Sequence, residues 1–329
     1  MKLKGDIEKM GKNLVIGQSG GPTAVINSSL AGAIEYALQC DETDGIYGML
    51  NGIQGLLEEN FIDLGAKFRD YPHELNRLKH TPAMFLGSCR YKLPVDGEIY
   101  DKIFEILRKK NVGWFIYIGG NDSMDTIKKL SDYALLTGAT QRFVGCPKTI
   151  DNDLTITDHT PGYGSAAKFI ATSTKEIICD ALGFNYKKKL VTILEIMGRD
   201  AGWLTGASVL SRQEDCDGPD MIYLPEVPFD LDKFMAKGEA KLNIKTRAIE
   251  LSTLQRSAAH ITSKIDVDEA FAVGGATVKE ADEGSSGVMV VIDRVSDDPY
   301  QSTTRVFDVH RIANDEKRVP RNWINEEGD

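Results

Sequence analysis

The sequence has few cysteines, and they lie far apart. The five are Cys40, Cys89, Cys146, Cys179 and Cys216, and no two of them form a C-x-x-C pair. Zinc sites and disulfide frameworks use cysteines at short, regular spacing. The sequence therefore predicts neither, and each cysteine is interpreted as a small apolar residue of the interior.

Long apolar runs are absent as well. No uninterrupted apolar stretch reaches the roughly 20 residues that a membrane-spanning helix needs. The first residues, MKLKGDIEKMGKN, are polar and contain no apolar signal core. We therefore expect a cytoplasmic protein without a membrane partner.

The chain also lacks an excess of positive charge. It has 39 Lys and Arg against 49 Asp and Glu, which gives a formal net charge of −10 at pH 7. Such a chain does not attract nucleic acid through its overall field, so we expect no nucleic-acid partner. Any phosphate must be held by local cations, backbone amides or a metal ion.

What the sequence does contain is a repeated order of strand, polar turn and helix. The run NLVIG at 13–17 is followed by a glycine-containing turn at 18–22 and then by an amphipathic segment. This order is typical of the phosphate-binding start of a doubly wound α/β fold. The turn does not follow the pattern G-x-G-x-x-G, and G-x-x-x-x-G-K-[ST] occurs nowhere, so neither nucleotide fingerprint is present.

The same order recurs along the chain and predicts an α/β fold with a mainly parallel sheet. Further strands are predicted at 112–118, 141–147, 189–196 and 220–225. Polar turns follow several of these strands, as in GGNDS and MGRDAGW. Because ligands of such sheets bind beyond the carboxyl ends of the strands, we expect these turns to converge on one site.

The segment CPKTIDND at 146–153 places Lys148 near Asp151 and Asp153. A carboxylate beside an ammonium stays ionised and can act as a base toward a hydroxyl group. Asp and Asn also satisfy the backbone of ordinary turns, so the residue types alone leave both interpretations open.

Cations cluster locally in this acidic chain. Arg199 lies on a glycine-flanked turn, where it could hold a phosphate or form a surface ion pair. Further candidates lie in two other segments: Arg90, Lys92, Lys245, Arg247 and Arg256. Acidic residues together with several arginines favour phosphoryl transfer, in which catalysis is mostly positioning and charge neutralisation.

Six motifs in order, SGGP, GSCRYK, GGNDS, PKTIDNDL, MGRDAGW and RAIELSTLQR, resemble the 6-phosphofructokinase family over most of the chain. The resemblance implies two similar doubly wound domains with the active site in the cleft between them. It places the phosphoryl donor on residues 1–148 with about 257–296, and fructose 6-phosphate on about 149–256 with 297–329.

The resemblance also implies roles for single residues. Asp151 matches the base that deprotonates the 1-hydroxyl of fructose 6-phosphate, with Lys148 and Arg199 as further catalytic groups. Sugar-phosphate binding is implied for Thr149, Asp153, Met197, Gly198 and Arg256. It is also implied for Arg247, which matches an arginine that family members often contribute across a subunit interface. Donor binding is implied for Gly20, Gly21, Arg90, Asp122, Ser123 and Lys148.

Two positions distinguish the donor. Members that use ATP resemble GGDGS and PGTIDND, whereas this chain has Asp122 and Lys148 in place of the two glycines. An aspartate fills and charges the space that a nucleotide needs, and a lysine can pair with the compact pyrophosphate. Pyrophosphate is therefore the expected donor, and an ATP-dependent 6-phosphofructokinase is the alternative.

Other features depart from the family pattern. The resemblance implies Mg²⁺, but its usual aspartate is replaced by Asn121, so Asn121 and Asp122 are the candidate ligands. Family members have a further strand with a Ser-Glu-Gly turn at the position between Leu242 and Asn243, and this sequence contains no such motif. We therefore expect residues to be missing there and after Asp329.

These departures favour a second kind of alternative, a catalytically silent regulatory subunit that binds sugar phosphates. For the enzyme itself, the resemblance implies a homodimer or homotetramer with a site shared between subunits.

Overall fold

The structure, a computed structural model, describes residues 13–184, 190–237 and 245–325. Its strands are β1 (Asn13–Gln18), β2 (Ile46–Met49), β3 (Phe61–Asp63), β4 (Val112–Gly119), β5 (Arg142–Pro147), β6 (Leu190–Glu195), β7 (Lys245–Glu250), β8 (Val288–Asp297) and β9 (Tyr300–Asp308). Helices connect most of them.

The helices are α1 (Ile26–Gln39), α2 (Gly52–Leu57), α3 (Leu64–Phe68), α4 (Pro72–Lys79), α5 (Ile99–Lys109), α6 (Asn121–Thr137), α7 (Tyr163–Leu182), α8 (Trp203–Ala207), α9 (Leu231–Lys237), α10 (Leu254–Ser257) and α11 (Lys264–Glu283). Short 3₁₀ turns lie at Ser208–Ser211, Ala259–Ile261, Val309–Arg311 and Arg321–Trp323.

Seven strands form the main sheet, in the order β3-β2-β1-β4-β5-β8-β9. The five inner strands run parallel, and the two edge strands run antiparallel to their neighbours. The predicted α/β class with a mainly parallel sheet is therefore confirmed. Parallel strands end at the same edge, which brings the turns after β1, β4 and β5 together.

Both faces of this sheet are covered by helices, because successive side chains of a strand point to opposite faces. Leu14 and Ile16 pack with α1 and α11, whereas Val15 packs with α2, α5 and α6. Every residue of β4 is buried, as expected for a central strand covered on both sides.

A smaller sheet consists of β6 and β7, which are parallel to each other. It packs with α7 and α8 around a separate apolar cluster that includes Ile170 and Leu204. The turn after β6 faces the carboxyl ends of the main-sheet strands across a cleft.

One strand prediction is corrected. Residues 220–225 form no strand; the side chains of Ile222 and Leu224 are buried in a small cluster with Ile324, which produces a strand-like pattern without a pairing partner among the described residues. Strand β9 follows β8 through a tight turn and pairs with it, so residues 300–308 belong to the main sheet, and the division of the chain into two domains remains a prediction.

The segment around Leu242 and Asn243, where we expected missing residues, lies outside the described residues. Within the described ranges, no helix combines the length and the apolar character needed to cross a bilayer.

Helices α1 and α11 approach so closely that two glycines are required. A Cβ on Gly274 would lie 1.9 Å from the carbonyl oxygen of Ser29, and a Cβ on Gly32 would lie 1.9 Å from that of Phe271. The neighbouring Gly275 differs, because its Cβ would meet Gly32 O at an ordinary 3.5 Å.

We therefore expect Gly274→Ala to destabilise the protein by about 1–3 kcal/mol or more through overpacking. Gly275→Ala is the matched control and should be neutral or stabilising by up to about 1 kcal/mol, since alanine favours the helix. Urea unfolding of both variants measures the difference. Equal effects of the two substitutions would contradict the close approach of the helices.

Candidate active site

A cavity of about 800 Å³ lies between the carboxyl ends of the main-sheet strands and the turn after β6. It brings together most of the residues predicted from the sequence, which lie on five separate segments. The predicted residues that line it are Gly20, Gly21, Arg90, Asn121, Asp122, Ser123, Lys148, Thr149, Asp151, Asp153, Met197, Gly198 and Arg199.

The glycine turn after β1 forms one wall. Gly20 has a φ of +80°, in the left-handed region that favours glycine. Its carbonyl oxygen accepts a hydrogen bond from Ser88 Oγ at 2.8 Å, and the carbonyl oxygen of Gly21 accepts one from Lys148 Nζ at 2.7 Å. The turn therefore presents backbone groups to the cavity with an ammonium group directly beside them.

We had expected the segment GGNDS to be a turn, but its last three residues belong to a helix. Helix α6 begins at Asn121, so Asp122 and Ser123 lie in its first turn. Asp122 forms an exposed ion pair with Lys92 at 2.8 Å. Ser123 is buried, and its Oγ lies 2.7 Å from Ser19 Oγ. Asp122 thus occupies the helix N-terminus, where a bound anion would otherwise be favoured.

The side chain of Asn121 is engaged with the distant chain. Its amide nitrogen donates to the carbonyl oxygen of Asp315 at 2.7 Å, and its amide oxygen accepts from the backbone N–H of Asn314 at 2.6 Å. The oxygen that we proposed as a metal ligand is therefore already hydrogen-bonded in this structure.

The segment after β5 carries two charged groups with strongly shifted pKa values. Burial, reinforced by the neighbouring Asp153, raises the pKa of Asp151 from 3.8 to about 6. Burial lowers the pKa of Lys148 from 10.5 to about 8, although both aspartates oppose the shift. At pH 7 the carboxylate is mostly ionised and the ammonium mostly protonated, so base and cation coexist.

The turn after β6 closes the opposite side. Met197 donates its backbone N–H to Gln255 Oε1 at 3.0 Å, and Gly198 has a φ of +122°. Arg199 is 91% exposed and pairs with Asp200, with 2.7 Å between Nε and Oδ2. The arginine therefore lies at the mouth of the cavity and not at its base.

Two predicted residues do not line this cavity. Arg247 is exposed on β7, with its guanidinium 3.9 Å from the Asp180 carboxylate. Arg256 reaches the glycine turn instead, since a Cβ on Gly21 would lie 3.1 Å from its Nη1. Their roles in sugar-phosphate binding remain predictions.

Several residues of the cavity were not foreseen. Ser19 precedes the glycines, Asp200 follows Arg199, and Asn314 and Glu316 come from the C-terminal segment. The first two belong to the motifs SGGP and MGRDAGW and could have been included. Nothing in the local sequence around Asn314 indicates that the chain returns to the cavity.

The described residues contain no metal site made of protein ligands alone: no group of three or more His, Cys, Asp or Glu side chains among them is arranged to hold a metal ion. One observation nevertheless suits Mg²⁺: the buried Oδ1 of Asp153 has no hydrogen-bond partner within the described part of the chain. Mg²⁺ commonly binds through one or two carboxylates plus substrate phosphates, and Asp153 and Asp122 fit that mode.

Comparison with known proteins identifies the family. A family model described as Phosphofructokinase matches residues 13–280, well over half of the chain. The chain belongs to the phosphofructokinase family. The family accounts for the cleft, the glycine turn and the PKTIDND segment occurring together.

Individual phosphofructokinases are similar over nearly the whole chain. The pyrophosphate–fructose 6-phosphate 1-phosphotransferase of Halomonas elongata is 36% identical over 372 aligned positions, covering 96% of this chain and 88% of the relative. Those 372 positions exceed the 329 residues of this chain. The relative therefore contains residues, within the aligned region, that have no counterpart here.

Two crystal structures agree with this assignment. The pyrophosphate-dependent phosphofructokinase from Nitrosospira multiformis is 37% identical, with a TM-score of 0.91, and that from Marinobacter aquaeolei is 37% identical, with a TM-score of 0.89. Each alignment covers 96% of this chain and 88% of the other chain.

The raised pKa of Asp151 implies a cost in stability that can be measured. Because the folded protein favours the neutral carboxyl group, protonation of Asp151 stabilises the fold at low pH, and this stabilisation is lost as the pH rises from 3.8 through about 6. We expect Asp151→Asn to be more stable than the wild type at pH 8 by about 1–3 kcal/mol, and by about half as much at pH 5.

Urea unfolding at both pH values tests this expectation. Asp215→Asn is the control, because Asp215 is exposed and its pKa is lowered by a hydrogen bond from Lys175. That variant should show no gain in stability at pH 8. The same absence of a gain in Asp151→Asn would show that burial does not perturb this carboxyl group.

Proposed function

We propose that this chain transfers a phosphoryl group reversibly from pyrophosphate to the 1-hydroxyl of fructose 6-phosphate, a reaction of glycolysis. The products are fructose 1,6-bisphosphate and phosphate. The observation on which the proposal chiefly rests is that Lys148, Asp151 and the glycine turn share one cavity. The pyrophosphate-dependent relatives, similar over 96% of the chain, support the choice of donor.

Asp151 is the proposed base. Its pKa of about 6 leaves it mostly ionised at neutral pH while keeping it basic enough to accept a proton from a hydroxyl group. The backbone N–H of Asp151 donates to Thr149 Oγ1 at 3.1 Å, which restricts the loop that carries the carboxylate.

Lys148 is proposed to hold the transferred or departing phosphate. Its Nζ donates one hydrogen bond to Gly21 O, and within the described part of the chain its other hydrogens remain available for a ligand at the glycine turn. Arg90 and Ser123 line the same wall and are assigned to the donor with Gly20 and Gly21. Thr149, Asp153, Met197, Gly198, Arg199 and Arg256 are assigned to the sugar phosphate.

Asp122 is proposed to exclude ATP. Its carboxylate stands at the N-terminus of α6, where further phosphates of a nucleotide would be repelled. Lys92, paired with Asp122 at 2.8 Å, reduces that charge at the cavity mouth without removing the side chain.

Mg²⁺ is the proposed cofactor, held by Asp153 with Asp122 and by the substrate phosphates. When bound, it neutralises the charge that develops on the phosphoryl oxygens. We propose two domains, with strand β9 in the donor domain. We also propose that the protein is cytoplasmic and forms a homodimer or homotetramer, in which the exposed Arg247 contributes to the site of a neighbouring subunit.

Turnover of Asp151→Asn tests the base. Loss of a general base commonly lowers the rate by about 10²–10⁴-fold, and we expect kcat to fall by that order with a modest change in KM. Steady-state assays with pyrophosphate and fructose 6-phosphate measure both constants. Asp215→Asn, an exposed position paired with Lys175, should behave like the wild type. Near-normal kcat in Asp151→Asn would refute the assignment.

Paired donor assays test the exclusion of ATP. We expect the wild type to use pyrophosphate, and Asp122→Gly combined with Lys148→Gly to lose pyrophosphate activity and gain use of ATP. Asp122→Asn keeps the volume of the side chain and removes its charge, so it separates repulsion from steric exclusion. Strong ATP use by the wild type would establish the ATP-dependent alternative, and no turnover with either donor would favour the silent regulatory subunit.

A further inference from the structure

Residues 314–317, here called the crossing segment, connect three parts of the candidate site. Asn314 and Asp315 bind the side chain of Asn121 at the start of α6. Lys317 donates its backbone N–H to the carbonyl oxygen of Asp153 at 2.8 Å. The carbonyl oxygen of Lys317 accepts from Trp203 Nε1 at 2.8 Å, at the start of α8.

The side chain of Lys317 makes the most specific of these contacts. Its Nζ donates to Asn152 Oδ1 at 3.2 Å, to Thr157 O at 3.1 Å and to Asp158 O at 2.7 Å. An ammonium group has three hydrogens, and all three have acceptors in the segment 152–158. Lys317 therefore resembles a fixed three-point clamp more than a mobile surface cation.

Lys317 holds Asn152, a residue with an unusual backbone conformation. Asn152 has a φ of +55°, in the left-handed region, and its side chain is buried. Besides accepting from Lys317, Asn152 Oδ1 accepts from the backbone N–H of Thr160 at 3.2 Å. These two bonds hold a conformation that costs of order 1 kcal/mol or more, at the residue that directly follows Asp151 in the chain.

The ammonium group also lies beside an aromatic ring. Its Nζ is 5.5 Å from the centre of the Trp203 ring, a favourable position for a cation.

We propose that Lys317 is a positioning residue that acts through Asn152 to hold the Asp151 carboxylate in its reactive orientation. This inference rests on the proposed function, because it assumes that Asp151 is the base. It makes Lys317, which lies more than 150 residues from Asp151 in the sequence, part of the catalytic arrangement although its own side chain does not line the cavity.

Lys317→Met tests the clamp. The methionine keeps the length of the side chain and removes all three donors, so the loop loses its hold on Asn152. We expect kcat to fall by about 10- to 100-fold, as misplacement of a reacting group commonly produces, with little change in KM for either substrate. Arg318→Met is the matched control, since Arg318 is exposed and pairs only with Glu316 at 3.1 Å among the described contacts; it should keep wild-type kcat.

A double-mutant cycle shows whether Lys317 acts through Asp151. In the Asp151→Asn background, Lys317→Met should change kcat by less than about twofold, because the group that it positions is already absent. A merely structural role would instead lower kcat by the same factor in both backgrounds, and that outcome would overturn the inference.

Hydrogen–deuterium exchange provides a readout that does not depend on activity. Exchange of the amides of residues 151–160 should be about tenfold faster in Lys317→Met than in the wild type and unchanged in Arg318→Met. Unchanged exchange in Lys317→Met would overturn the clamp. If the wild type fails to use pyrophosphate, the proposed function fails, and this measurement still decides whether the clamp exists.

Lys317→Arg keeps the test decisive if Lys317→Met does not fold. The planar guanidinium retains the charge but cannot direct three hydrogens as a tripod. We expect its kcat to be lower than that of the wild type and its amides at 151–160 to exchange faster than those of the wild type. Wild-type values of both would show that charge alone suffices and would overturn the positioning role.

Discussion

The site depends on keeping Lys148, Asp151 and Asp153 charged in a place where water is scarce. Each charge alone would be costly to bury, and two adjacent carboxylates repel each other. The ammonium of Lys148 offsets part of this cost, since its charge favours the ionised form of Asp151. The glycine turn gives Lys148 a hydrogen-bond acceptor, and the bond from the N–H of Asp151 to Thr149 Oγ1 restricts the loop. Much of the surrounding structure can be understood as support for this buried cluster.

The start of α6 illustrates how one residue can serve two purposes. A helix N-terminus favours a negative charge, and in many α/β proteins a bound phosphate supplies it. Here Asp122 supplies that charge from within the chain. The same carboxylate that stabilises the helix therefore competes with an anion for the position, which gives donor selection a structural basis that does not require a separate element.

The parts of the molecule that could be predicted from the sequence are those that depend on neighbouring residues. Strands β1, β4 and β5 are continuous apolar runs, and their polar turns converge because parallel strands end at one edge. The motif PKTIDND also keeps its chemistry within a few residues. By contrast, the period-two pattern at Ile222 and Leu224 arises from burial without strand pairing, and a local pattern cannot distinguish the two.

Long-range contacts account for the rest. The crossing segment reaches Asn121 over more than 190 residues, and no local signal marks either end of that contact. Strand β9 was not predicted, because its place depends on antiparallel pairing with β8 across a tight turn, whereas residues 297–329 had been assigned only by the resemblance.

The contact at Asn121 also explains why an amide suits a position where the family usually has an aspartate. An amide both donates and accepts, so Asn121 satisfies the carbonyl oxygen of Asp315 and the N–H of Asn314 together. An ionised aspartate has no hydrogen to donate and would face the Asp315 carbonyl with a second acceptor. Asn121 therefore lacks the negative charge of an aspartate but anchors the crossing segment. Under the proposed function, the metal ion is then bound by Asp153, Asp122 and the substrate phosphates.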